Sequence, residues 1–171
     1  MLAGCAGKGP QRPSVHKGEW ASRESSAERE ETRVENQELA LMEMNERLAH
    51  AADEELLHWV RAQKEPYALY ECGTWGYILD TGDTHRPAFQ PEEECTLHMR
   101  VYSLSGHLYR DIEQTAHVGK YELPTAIDEN ITEWHHGAHV MLLAPWYSAY
   151  GIQGKGGIPP YENVVIDLEL K

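Results

Sequence analysis

The stretch Leu142-Leu143-Ala144-Pro145-Trp146-Tyr147-Ser148-Ala149-Tyr150-Gly151-Ile152-Gln153-Gly154-Lys155-Gly156-Gly157-Ile158-Pro159-Pro160-Tyr161-Glu162-Asn163-Val164-Val165-Ile166-Asp167-Leu168-Glu169-Leu170 decides the fold. Its front end, Val140 to Ala144, is a short apolar run stopped by Pro145, which reads as a buried strand. At its back end Val164, Ile166, Leu168 and Leu170 face one way and Asp167 and Glu169 the other, the two-residue period of a half-buried strand. Between the strands lies a glycine-rich loop closed by Pro159-Pro160. Such a layout sets an apolar cleft beside the phenol of Tyr150. That is a site for binding peptide, not for cutting it.

Working outward, the same period appears upstream. Trp75, Tyr77 and Leu79 alternate, and Leu97, Met99 and Val101 oppose His98, Arg100 and Tyr102. Ser103 to His107 reads as a turn that returns the chain into Leu108-Tyr109-Arg110, and residues 81 to 94 read as an irregular loop. Leu123-Pro124-Thr125 before Ala126 and Ile127 suits the first turn of a brief helix.

Residues 30 to 63 contain no Gly or Pro, and Leu41, Met44, Leu48, Ala52, Leu56 and Trp59 recur every three or four positions. This predicts an amphipathic helical extension over 30–65. A stripe of this length is expected to dock on its own domain, the alternative being a homodimer through the helix. Residues 6–29 have the composition of a flexible tether. The expected fold class is therefore α+β: an antiparallel sheet wrapped on a short helix, preceded by a long N-terminal helix.

The chain has 171 residues, 41% of them hydrophobic, enough for one ordinary core. A net charge of −13 argues against a nucleic-acid partner, because phosphate backbones are bound through clustered Lys and Arg. Cys5, Cys72 and Cys95 lack paired C-x-x-C spacing, so they suggest neither a zinc site nor a disulfide framework, and whether Cys72 and Cys95 pair stays open. The run His135-His136-Gly137-Ala138-His139 has no carboxylate partner beside it and reads as exposed polar residues. Gly154 to Gly157 lacks the helix and the Lys-Ser/Thr pair of a phosphate cradle. Neither a metal nor a cofactor is expected. Leu2-Ala3-Gly4-Cys5 fits the bacterial lipobox, which implies a lipid on Cys5 and a place in the bacterial cell envelope, anchored to a membrane and facing the periplasm.

Ala149-Tyr150-Gly151, Gly154, Gly156-Gly157, Ile158-Pro159-Pro160 and the strand Val164 to Leu170 resemble the C-terminal signature of the FK506-binding (FKBP) family of peptidyl-prolyl isomerases. The resemblance extends through Val118-Gly119-Lys120, Gly106 and Tyr109, and Cys72-Gly73-Thr74-Trp75, and covers roughly residues 67–171. It implies that Tyr150 donates a hydrogen bond to the substrate carbonyl. It also implies a pocket of Met99, Tyr109, Arg110, Leu123, Pro124, Ile127, Tyr150, Ile158 and Ile166. Four positions depart from the family pattern: Met99 replaces a Tyr, Arg110 an Asp, Ile127 a Trp and Ile166 a Phe. Aromatic walls are much of such a pocket's contact area, so weak activity is expected.

Lipobox, tether and Glu-rich helix together are similar in layout to the gliding-motility-associated FKBP-like lipoproteins. The implied function is catalysis of prolyl isomerisation in proline-containing clients during the folding of envelope proteins. The alternative is a peptide-binding, chaperone-type module without catalysis.

Overall fold

The computed structural model describes residues 17–171, with side chains from Ser25 onward; the lipobox at 1–5 and the tether up to His16 lie outside the described residues. The first element, α1, spans Lys17–Arg61. It begins well before the expected position 30 because nothing between Gly18 and Pro66 breaks a helix, and His58 and Arg61 in its last turn suit its negative end. The chain forms two units, one up to Met44 and one from Asn45 to Lys171. In the first, Leu41 is 55% exposed and Met44 38%. No helix among the described residues is long and apolar enough to cross a membrane.

In the second unit, β1 (Ala68–Leu69), β2 (Trp75–Asp80), β3 (Glu94–Ser103), β4 (Leu108–His117), β5 (His139–Ala144) and β6 (Val164–Leu170) form one antiparallel sheet, with a four-residue helix α2 (Thr125–Asp128) after β4. The strand order is β1-β2-β5-β6-β3-β4. Alternation dictates the layers. Register sets Val140, Leu168 and Met99 in one row across the sheet and Leu142, Ile166 and Val101 in the next, all buried on the face that receives Ala126, Ile127 and Ile131. Each fully buried aliphatic side chain there contributes roughly 1.5–3 kcal/mol.

The opposite face carries His98, Arg100, His139, Asp167 and Glu169. Arg100 reaches Glu169 at 2.5 Å and Asp167 at 3.1 Å, and His139 reaches Asp167 at 2.6 Å. A separate small core lies under the end of α1. Ala52 and Leu56 are buried, and so is Leu143, whose neighbours Leu142 and Ala144 face the main core instead. The contact is pinned by polar bonds: Trp59 Nε1 donates to the Leu104 carbonyl at 3.3 Å, Tyr147 to Asp53 at 2.5 Å, and Asn163 Nδ2 to Glu55 at 2.7 Å. The second half of the sequence stripe therefore docks on its own domain.

Cys72 and Gly73 belong to a 3-10 turn rather than to an opening strand, and β2 starts at Trp75. Cys72 and Cys95 are both free thiols, the first exposed and the second buried. The histidine run disperses: His135 meets the Arg86 carbonyl at 2.9 Å, His136 packs on Phe89 and meets Glu93 at 3.0 Å, and His139 joins Asp167. His139, Asp167 and Glu169 lie close enough together to share an ion, but the guanidinium of Arg100 already holds both carboxylates.

Candidate functional site

The cleft forms where β4, the turn before α2 and the loop after β5 meet. β4 contributes through a bulge. Tyr102 pairs with Leu108 and Val101 with Arg110, so Tyr109 is the extra residue. Opposed residues share a face, hence Arg110, Ile112 and Gln114 lie on the same side as Val101, Met99 and Leu97, the concave side of the sheet. The bulge is thus what aims Arg110 inward.

The second wall is the turn from Val118 to Pro124. Gly119 and Tyr121 both adopt positive φ, and the carboxylate of Asp128 accepts the N–H groups of both at 3.1 Å. This turn presents Tyr121, Leu123 and Pro124 to the cleft. The third wall is the loop of the opening stretch. At Gly154 a Cβ would come 2.1 Å from the Ile158 carbonyl oxygen, so no other residue fits without movement. Lys155 and Ile158 exchange hydrogen bonds at 3.2 and 3.1 Å around Gly156-Gly157, a two-residue turn with both central φ positive. It fixes the backbone of Lys155 at the mouth.

The resulting cavity is about 480 Å³, lined among others by Met99, Arg110, Gln114, Leu123, Tyr150 and Lys155. Of the residues expected in the pocket, Met99, Arg110, Leu123, Pro124 and Tyr150 line it, and Tyr109, Ile127, Ile158 and Ile166 do not. Ile127 and Ile166 are 0% exposed and Ile158 is 4%, all within the main core. An isoleucine is too short to reach the surface from positions set so deep. Tyr109 packs against the edge of the core and donates its hydroxyl to Glu162 at 2.8 Å. Gln114, Tyr121 and Lys155 line the cavity without belonging to the expected pocket. Counting by two along β4 from Arg110 finds Gln114; Tyr121 and Lys155 give no such signal.

Tyr150 is the group with chemical potential. Its hydroxyl points at the thioether of Met99 at 3.9 Å, a weak acceptor, so its proton is not committed within the protein. Burial pushes the phenol's pKa above its ordinary value, while the neighbouring Arg110, by charge and hydrogen bonding, pulls the other way without cancelling the rise. Tyr150 is therefore a neutral donor at any physiological pH. The positive charge of the neighbouring Arg110 also polarises the O–H and makes it a better donor.

No protein-family model matches the sequence, and no curated protein matches it either. Solved structures do. The N-terminal domain of FKBP42 from Arabidopsis thaliana superposes with a TM-score of 0.54 at 19% identity, over 63% of this chain and 91% of that one. AtFKBP13 gives 0.55 at 19% identity, over 61% and 96%. A peptidyl-prolyl cis-trans isomerase from Pseudomonas syringae pv. tomato gives 0.57 at 18% identity, over 71% and 92%. With the six-stranded antiparallel sheet around a short helix, these likenesses establish that the chain has an FKBP-like fold.

Proposed function

We propose that the protein is a slow peptidyl-prolyl cis-trans isomerase acting on proline-containing segments of envelope proteins, and that a lipid on Cys5 holds it to the membrane with the domain in the periplasm. The layout of lipobox, tether and helix supports a kinship with the gliding-motility-associated FKBP-like lipoproteins. One observation carries the catalytic reading: a neutral phenol, uncommitted as a donor, at the wall of a cleft in an FKBP-like fold.

The chemistry asks for little else. Rotation about the X-Pro bond must break amide resonance, a barrier of about 18–20 kcal/mol, and no covalent bond forms or breaks. As the amide twists, its nitrogen loses conjugation and the bond loses polarity, so a cleft walled by Leu123, Pro124 and Met99 favours the twisted form over the planar one. Tyr150 holds the carbonyl of the residue before proline by donating to it, which fixes one end of the amide while the ring end turns. Every 1.36 kcal/mol or so of preference for the twisted form is worth tenfold in rate. With Ile127 and Ile166 sunk in the core, the proline ring has no aromatic floor to rest on and the rate is low.

The test is a protease-coupled assay on an Ala-Leu-Pro-Phe anilide at micromolar protein, with Tyr150→Phe beside the native chain. Acceleration above the spontaneous rate that drops about three- to tenfold in the variant, the worth of one hydrogen bond, supports the reading. A native rate equal to the spontaneous one sinks it and leaves a binding module.

A further inference from the structure

Asp and Glu outnumber Lys and Arg 28 to 15, and Arg33, Arg100, Lys120 and Lys171 each rest on a carboxylate. Arg110 and Lys155 line the same cavity, and neither forms an ion pair among the described residues. The guanidinium is not loose. A Cβ on Gly156 would meet its Nε at 3.3 Å and its Cζ at 3.5 Å, so it lies over that turn in the space a side chain would fill, with Tyr150 beside it.

A phenol oxygen occupies at most one or two of the five guanidinium N–H donors. The carboxylate that lines the cavity, Glu122, is engaged elsewhere: its Oε2 accepts the His117 backbone N–H at 2.8 Å and lies 3.4 Å from the His117 ring. The cleft thus holds an ordered cation with donors to spare and a second cation at its mouth.

We propose that the cleft selects peptides in which an acidic residue immediately precedes the proline, its carboxylate seated on Arg110 while Lys155 adds attraction from the rim. This rests on the reading of the cavity as the proline site. Tyr150 donates to the carbonyl of the residue before proline, and the side chain of that same residue then falls beside Tyr150, where Arg110 stands. The net charge of −13 opposes acidic peptides at long range, so any preference for them comes from the cleft itself.

The experiment compares acetyl-Ala-Xaa-Pro-Phe anilides with Xaa as Glu, Leu or Lys, and measures both turnover and, with fluorescent forms of the same peptides, binding. The Glu peptide is expected to exceed the Leu peptide about tenfold in kcat/KM at low ionic strength, a ratio worth about 1.4 kcal/mol. Lys falls below both. Added salt narrows the Glu-to-Leu ratio, because the site is partly open to solvent. Arg110→Met brings the ratio to about one, Arg110→Lys restores part of it, and Lys155→Met lowers it less than Arg110→Met does. If no peptide is turned over but the Glu peptide binds about tenfold tighter than Leu, the selectivity stands and the isomerase reading falls. Equal turnover of Glu and Leu overturns the selectivity and leaves the isomerase. Absence of binding by every peptide overturns both.

Discussion

Asp128 is the residue on which the cleft's second wall depends, and Asp128→Ala is the perturbation that measures it. The side chain is 5% exposed, and its two oxygens separately take the N–H groups of Gly119 and Tyr121, each at 3.1 Å. Tyr121 sits at φ +55°, a conformation that costs an L-residue about 1–2 kcal/mol and persists only while something holds it. A hydrogen bond to a charged acceptor is worth about 1.5–3 kcal/mol when lost without replacement. Water reaches the exposed turn around Tyr121 and replaces part of that, so the pair is worth about 2–3 kcal/mol rather than twice the single value.

Asp128→Asn keeps one acceptor oxygen and turns an amide N–H toward the other donor, and it should lose about half as much. The assay is urea unfolding followed by tryptophan fluorescence, since Trp134 lies buried in the same core. With a slope of about 1.5–2 kcal/mol/M for a domain of this size, the Ala variant's midpoint falls by about 1–2 M. Peptide affinity falls with it, because Tyr121, Leu123 and Pro124 all ride on the turn. An Ala variant within 0.5 kcal/mol of the native chain, or an Asn variant no better than Ala, would refute the claim that the carboxylate clamps the turn.

Leu56→Ala, at a side chain with no exposed surface, should cost about 2–3 kcal/mol, the low end for a leucine because the core it shares with Ala52 and Leu143 is small; thermal unfolding reads this directly. Gly156→Ala forces a Cβ to within 3.3 Å of Arg110 Nε at φ +58°, so stability should fall by about 1–2 kcal/mol and the Glu-to-Leu ratio of the peptide assay should drop with it. Tyr67, Tyr147 and Tyr150 all have pKa values raised above 10.0, chiefly by burial, with Asp53 adding to the effect at Tyr147. The unfolded chain releases these protons near pH 10 while the native chain keeps them. Their contribution to stability is therefore complete below that pH and is lost as pH rises through the native values. Phenolate absorbance of the native protein should lag that of the urea-unfolded protein, and coincident curves would contradict the burial argument.

The sheet was legible because two of its interior strands, β3 and β6, each bury one face only. Leu97, Met99 and Val101, or Val164, Ile166, Leu168 and Leu170, cannot be shifted by one residue without sending the whole set into water, so period two fixes both the strand and its inward face. The glycine loop was legible for a different reason: Gly154 stands where a Cβ would collide with the Ile158 carbonyl, so steric exclusion is written directly as a residue type. The site was only half legible, because its members are set by terms that no local pattern carries. Tyr109 leaves the cavity through a one-residue bulge against Val101, which depends on the partner strand rather than on β4 itself. Asp128 follows directly on the brief helix expected after Pro124, and its role as the acceptor for Gly119 and Tyr121 exists only once the turn has folded back on it.

Ile127 and Ile166 show the deeper reason why family resemblance at matched positions does not transfer a pocket. A floor position reaches solvent only if its side chain is long enough to cross the first core layer. Two isoleucines there pack with Met99, Leu123 and Val101 and leave nothing of themselves exposed. With the floor sealed, the open space lies at β4 and the Tyr121 turn, where Gln114, Arg110 and Lys155 stand beside Tyr121 and Tyr150. On the proposed reading of the cleft, what it loses in contact with a proline ring it gains in its grip on the neighbouring residue. Ring contact and charge selectivity should therefore trade against each other at this site: Ile127→Trp, by returning an aromatic floor, should raise turnover of the Leu peptide and narrow the Glu-to-Leu ratio, while unchanged kinetics in a folded variant would show that the floor plays no part in choosing the substrate.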